Sequence, residues 1–66
     1  MGGLSANQGL VITAHGHLNK AKSLRSEAAS LMRRGKTQEA ESLLRQADNL
    51  EKSAQKLLDQ YERQNK

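Results

Sequence analysis

The sequence predicts an all-α fold, an antiparallel two-helix hairpin over about residues 6–34 and 38–64, on three observations. Apolar residues recur at steps of three and four along two long stretches, the period of one face of an α-helix. A short polar break containing Gly35 separates the stretches. No Pro occurs in the 66 residues to interrupt a helix.

The first stripe comprises Leu10, Val11, Ala14, Leu18, Ala21, Leu24, Ala28, Leu31 and Met32. Ser5-x-x-Gln8 has the form of a capping box and favours a start just after it. Gly16 lies inside the stripe, at a cost of about 1 kcal/mol relative to Ala, and Leu10-Val11-Ile12-Thr13 also suits an extended chain. A shorter helix beginning near residue 17, preceded by a separate turn or helix, is therefore the alternative. On that division residues 1–15 form a partly flexible or additional helical segment and residues 16–66 the hairpin. Arg33 and Arg34 suit the negative end of the helix dipole, and Gly35 suits the left-handed position just past it.

Thr37 is the expected N-cap of the second helix, with Glu39 and Glu41 in its positive first turn. The stripe that follows alternates strictly in threes and fours: Ala40, Leu43, Ala47, Leu50, Ala54, Leu57, Tyr61. Leu44 and Leu58 widen this face. Glu41/Arg45, Asp48/Lys52 and Asp59/Arg63 are acid-then-base pairs four residues apart, each worth about 0.2–0.5 kcal/mol on a helix. The short connection makes the helices antiparallel neighbours. Ala recurs every seven residues in both, at Ala14, Ala21, Ala28 and at Ala40, Ala47, Ala54. Small residues at this period form a seam along which two helices approach closely, leaving the Leu residues beside it.

Two helices offer little core, so completion to a three- or four-helix bundle by a further helix, a second copy or a partner is expected. The chain has no Cys, hence neither a disulfide staple nor a thiolate metal site. No stretch approaches the roughly 18 apolar residues of a membrane span, and the start reads neither as a secretory signal nor, with Ala6 where Ser or Thr belongs, as a myristoylation motif. The expectation is a cytoplasmic protein. Every Lys, Arg, Asp and Glu lies from Lys20 onward. Residues 20–36 carry +5 and residues 37–66 carry −1, which together make the formal net charge of +4.

Candidate chemistry is sparse. His15 and His17 point about 200° apart on a helix and have no acidic or thiol neighbour in sequence, so neither a metal nor another cofactor is expected. Gly35-Lys36-Thr37 matches the end of a phosphate-binding loop, but Ser30 stands where the first Gly belongs and no strand precedes it. The strip Lys20, Lys22, Arg25, Arg33, Arg34 and Lys36 carries no interleaved aromatic for base stacking. The apolar face is Ala-rich and lacks Trp and Phe, a poor match to a membrane-surface helix. No paired carboxylates or nucleophile–base arrangement stands out, so no enzyme is expected.

Around the turn, Leu31-Met32-Arg33-Arg34-Gly35-Lys36-Thr37-Gln38-Glu39-Ala40 resembles the helical turn of tetratricopeptide repeats and of MIT (microtubule interacting and trafficking) domains. Ala28, Gly35, Ala40 and Ala47 stand where a tetratricopeptide repeat places its small residues. The closer resemblance is to an MIT domain of the autophagy type. Gly16, Leu18-Asn19, Ala21, Ala28, Leu31, Gly35-Lys36, Glu39-Ala40, Ala47, Ala54 and Leu57 follow its pattern without gaps over about residues 16–58. Both families usually place an aromatic just before Glu-Ala, where Thr37 and Gln38 stand here, and an MIT domain has a third helix. A weaker resemblance is to Rab-binding hairpins of the rabenosyn type, carried by the Gly-containing turn and Asp59-Gln60-Tyr61-Glu62-Arg63-Gln64. These resemblances imply a protein-interaction adaptor in membrane trafficking or autophagy.

Three functions follow as expectations. The first is a non-catalytic module whose Leu24, Leu31, Leu43, Leu44, Leu50 and Leu58 bind an amphipathic helix or helical bundle. The second is a homo-oligomer, two hairpins forming a four-helix bundle. The third is a dimer whose basic strip binds nucleic acid.

Overall fold

The computed structural model of the protein describes residues 6–64, and within them the side-chain surroundings of residues 8–63. Two helices of equal length make an antiparallel hairpin: α1, Ala6–Arg33, and α2, Thr37–Gln64, 28 residues each. At 1.5 Å rise per residue each is about 42 Å long. The chain is one layer deep, with principal extents of 51 × 22 × 11 Å.

α1 runs unbroken through Leu10-Val11-Ile12-Thr13 and Gly16. The absence of Pro and the continuous apolar stripe outweigh the β-branched run, because packing on α2 rewards every turn that keeps the stripe in register. Residues 6–15 are thus the first turns of α1 and do not stand in for a third helix. Ser5, and with it the proposed capping box, lies outside the described residues. A Cβ built on Gly16 meets nothing within 4 Å. Gly16→Ala is therefore expected to stabilise the fold by about 0.5–1 kcal/mol through the helix propensity gained. A thermal melt that falls for this variant would contradict the unbroken helix.

The turn is a Schellman motif. The Lys36 amide donates to the Leu31 carbonyl at 2.9 Å and the Gly35 amide to the Met32 carbonyl at 3.0 Å. Gly35 has φ +80°, in the left-handed region. The next bond, from the Ala40 amide to the Lys36 carbonyl at 3.1 Å, makes Lys36 the cap of α2. Thr37 is consequently its first helical residue, and the N-cap expected at Thr37 falls one residue earlier. In this tight six-to-one turn the residue that closes α1, Lys36, is also the one that opens α2. Gly35-Lys36-Thr37 is this helix-to-helix turn.

The core is the small-residue seam. Ala14, Ala21, Ala28, Ala40, Ala47 and Ala54 are at most 1% exposed, and no larger side chain among the described residues is fully buried. A seven-residue repeat returns to nearly the same side of a helix every two turns. Ala at that repeat on both helices lets the backbones approach until Leu side chains are pushed to either side.

The acid–base pairs expected along α2 are not formed. Asp48 turns to Arg25 on α1 rather than to Lys52, and Asp59 accepts a 3.2 Å hydrogen bond from the Gln55 amide rather than pairing with Arg63. Among the described residues both ion pairs belong to Arg25. An exposed pair on one helix gains little over hydration.

Candidate interaction surface

The Ala seam divides the remaining apolar residues by their offset from it. In each helix a residue three beyond an Ala falls on one side of the seam, and a residue four beyond falls on the other. Leu24 and Leu31 on α1 and Leu43 and Leu50 on α2 take the first offset. They are half-buried and meet across the hairpin. One groove is lined by Leu24, Leu50, Lys20, Gln46, Asn49 and Ser53, and the next, nearer the turn, by Leu31, Leu43, Glu27, Glu39 and Ser42. The same register continues the row through His17 and Leu57, both half-buried.

The opposite face takes the four-residue offset: Val11, Leu18, Arg25 and Met32 on α1, Leu44, Glu51 and Leu58 on α2. Its apolar row is interrupted at the centre. The Arg25 guanidinium donates through Nη2 to Asp48 Oδ1 at 2.8 Å and to Glu51 Oε1 at 2.5 Å, and through Nε to Glu51 Oε2 at 3.3 Å. The Glu51 bonds are the main reason the Arg25 pKa is held above its ordinary value, with Asp48 second and partial desolvation opposing them. A raised pKa leaves Arg25 charged at every pH below the ordinary Arg range. Leu18 is 37% and Met32 48% exposed on this face. Toward the open end, Tyr61 occupies the seam position where α2 would otherwise place Ala, and it lines a shallow groove with Gln8, Val11 and Ile12.

The six Leu residues expected to bind a partner therefore do not form one surface. Leu24, Leu31, Leu43 and Leu50 share the uninterrupted face, and Leu44 and Leu58 lie on the other. The six bases do not form one strip either. Lys20 and Lys22 lie about 200° apart around α1, Arg34 sits with Lys20 on the edge of the Leu-lined face, and Arg25 is engaged by Asp48 and Glu51. Lys22, Arg33, Arg34 and Lys36 are exposed. His15 is exposed and His17 half-buried in the Leu row, so the helix separates them. Among the described residues no group of three or more His, Cys, Asp or Glu gathers into a metal site, and no helix is long and apolar enough to cross a membrane.

Arg25, taken from sequence as one base of the strip, is instead the cross-helix clamp. Arg25, Asp48 and Glu51 are 23 and 26 residues apart, so the signal was available only through the Ala register that aligns residue 25 with residues 48–51.

Fold and surface together define an all-α helical hairpin with an Ala core and two unequal faces, one a Leu row and one divided by an ion-pair cluster. Compared with known families, curated proteins and solved structures, the chain matches none.

Proposed function

We propose that the protein is a non-catalytic protein-interaction module that buries its Leu-lined face against helices of another polypeptide. The observation that carries this reading is the exclusion of every large apolar side chain among the described residues from the core. Six Ala fill the seam, and Leu24, Leu31, Leu43 and Leu50 stay half-open in a row along one face. Such a row offers the spaced sockets into which an amphipathic helix lays residues one turn apart. The MIT-type resemblance of residues 16–58 would extend the reading to an adaptor in membrane trafficking or autophagy.

A selection of displayed amphipathic helical peptides against the purified chain tests it. Bound peptides are expected to shift the methyl resonances of Leu24, Leu31, Leu43 and Leu50. Shifts confined to Leu18, Leu44 and Leu58, or no helical binder to a chain that is monomeric, would sink the reading. Mapping on the unaltered chain avoids substitutions that could unfold so small a core.

A further inference from the structure

We propose that the occupant of the Leu-lined face is a second copy of this chain, stacked face to face about a two-fold axis running along the hairpin, so that α1 of each copy lies on α2 of the other. The inference rests on the reading above that this face is an interaction surface, and it names the partner.

Three observations carry it. First, the hairpin alone is under-supplied. Its core is six Ala, it has no Cys, and no metal cluster forms among the described residues. A two-helix hairpin with so small a core and no such staple gains its missing burial from association or from unusually close helix packing. Two copies would turn the Leu rows into the shared core of a four-helix bundle.

Second, this face tolerates a copy of itself and the other does not. Around Leu24 and Leu50 the walls are the neutral Gln46, Asn49 and Ser53, with Lys20 alone charged, and the carboxylates Glu27 and Glu39 stand only beside Leu31 and Leu43, where the α1-on-α2 stack sets them opposite Gln46 and Arg34 of the other copy. The opposite face has Arg25, Asp48 and Glu51 interrupting its apolar row, and burying that already paired charged cluster under a second copy would cost its hydration.

Third, charge selects the orientation. Residues 20–36 carry +5 and residues 37–66 carry −1. A two-fold along the hairpin sets the basic half of α1 on the acidic α2, whereas a two-fold across it sets that basic half on the uncharged first half of α1 in the other copy and gains no such attraction. At the turn end, Arg34 lies six residues past Ala28 and Glu39 one residue before Ala40, the same offset in a seven-residue repeat, so both occupy the outer edge of this face, within about a helical turn of one level. Arg34 of one copy then faces Glu39 of the other, twice by symmetry.

Sedimentation equilibrium of the full chain over a wide concentration range is expected to give twice the chain mass, with helical circular dichroism falling on dilution as the dimer dissociates. A monomer that stays helical at every concentration overturns the proposal. The Leu-lined face would then belong to a different protein's helix, a reading that the methyl mapping judges independently.

Orientation is read by mixing an Arg34→Glu chain with a Glu39→Lys chain. Each homodimer places two like-charged pairs in contact, and the mixed dimer places two unlike pairs, while any effect within a chain is common to both. Both positions are exposed, so neither change enters the Ala core. Native mass spectrometry is expected to show mixed dimers about two- to fivefold above the statistical share, the scale of exposed ion pairs. Statistical mixing overturns the α1-on-α2 arrangement.

Discussion

Replacing Ala47 by Leu is expected to destabilise the hairpin by about 1–3 kcal/mol, the usual cost of forcing extra methylenes into a close-packed site. Ala47 is fully buried in the seam between α1 and α2. The distance between two helix axes is governed by the side chains at their contact. A Leu at Ala47 must therefore wedge α2 away from α1, and because the helices pack along their length, the seam on either side of it opens too. The seam loses dispersion contacts that fall off steeply with separation. Ala29→Leu is the control: Ala29 is exposed on the same helix pair, and substitutions there should stay within about 0.5 kcal/mol. Thermal unfolding separates them, since about 1 kcal/mol moves the midpoint by roughly 4–8 °C in a domain of this size. Equal midpoints for the two variants would mean that the seam is not the core, and the division of the Leu residues into two faces would fall with it.

The second large effect is expected at Gly35. Gly35→Ala should cost about 1–2 kcal/mol, the penalty of a left-handed backbone for an L-residue. The φ of +80° is imposed by the two Schellman bonds, and a Cβ at this position would meet nothing within 4 Å. The cost is thus local backbone strain, with no clash against the rest of the fold, and Gly35→Asn should recover much of it because Asn tolerates this region. Gly16→Ala makes the contrast. The same chemical change stabilises there, where the backbone is helical, and destabilises at the turn. Chemical denaturation of the three variants reads both signs; a Gly35→Ala protein as stable as the parent would show that the turn does not hold a positive φ.

Most of the architecture was legible along the chain. The two stripes place both helices to within a residue of their ends, from Arg33 to Thr37 across the turn. Gly35 was identified as the left-handed residue from its place after Arg33 and Arg34, and the matched Ala heptads announced the seam. Each of these is local: helix periodicity, caps and small-residue repeats are properties of neighbouring residues, and physical chemistry reads them without knowing what lies across from them.

Only the tertiary structure decided which side chains act together. Leu43 and Leu44 are adjacent in sequence and read as one widened face, yet the seam at Ala40 and Ala47 runs between their offsets and sends them to opposite sides of the hairpin. Arg25 read as one base among six, yet its partners Asp48 and Glu51 come from the other helix at 2.8 and 2.5 Å. Asp48 and Asp59, each four residues before a base, ended elsewhere because an exposed intrahelical pair is too weak to choose a rotamer. The sequence by itself determined two amphipathic helices, their turn and their Ala seam. The faces of the hairpin, the Arg25 cluster and the row of Leu24, Leu31, Leu43 and Leu50 exist only once α1 and α2 are set in register, because a face shared by two helices is defined by their relative rotation, which neither helix encodes alone.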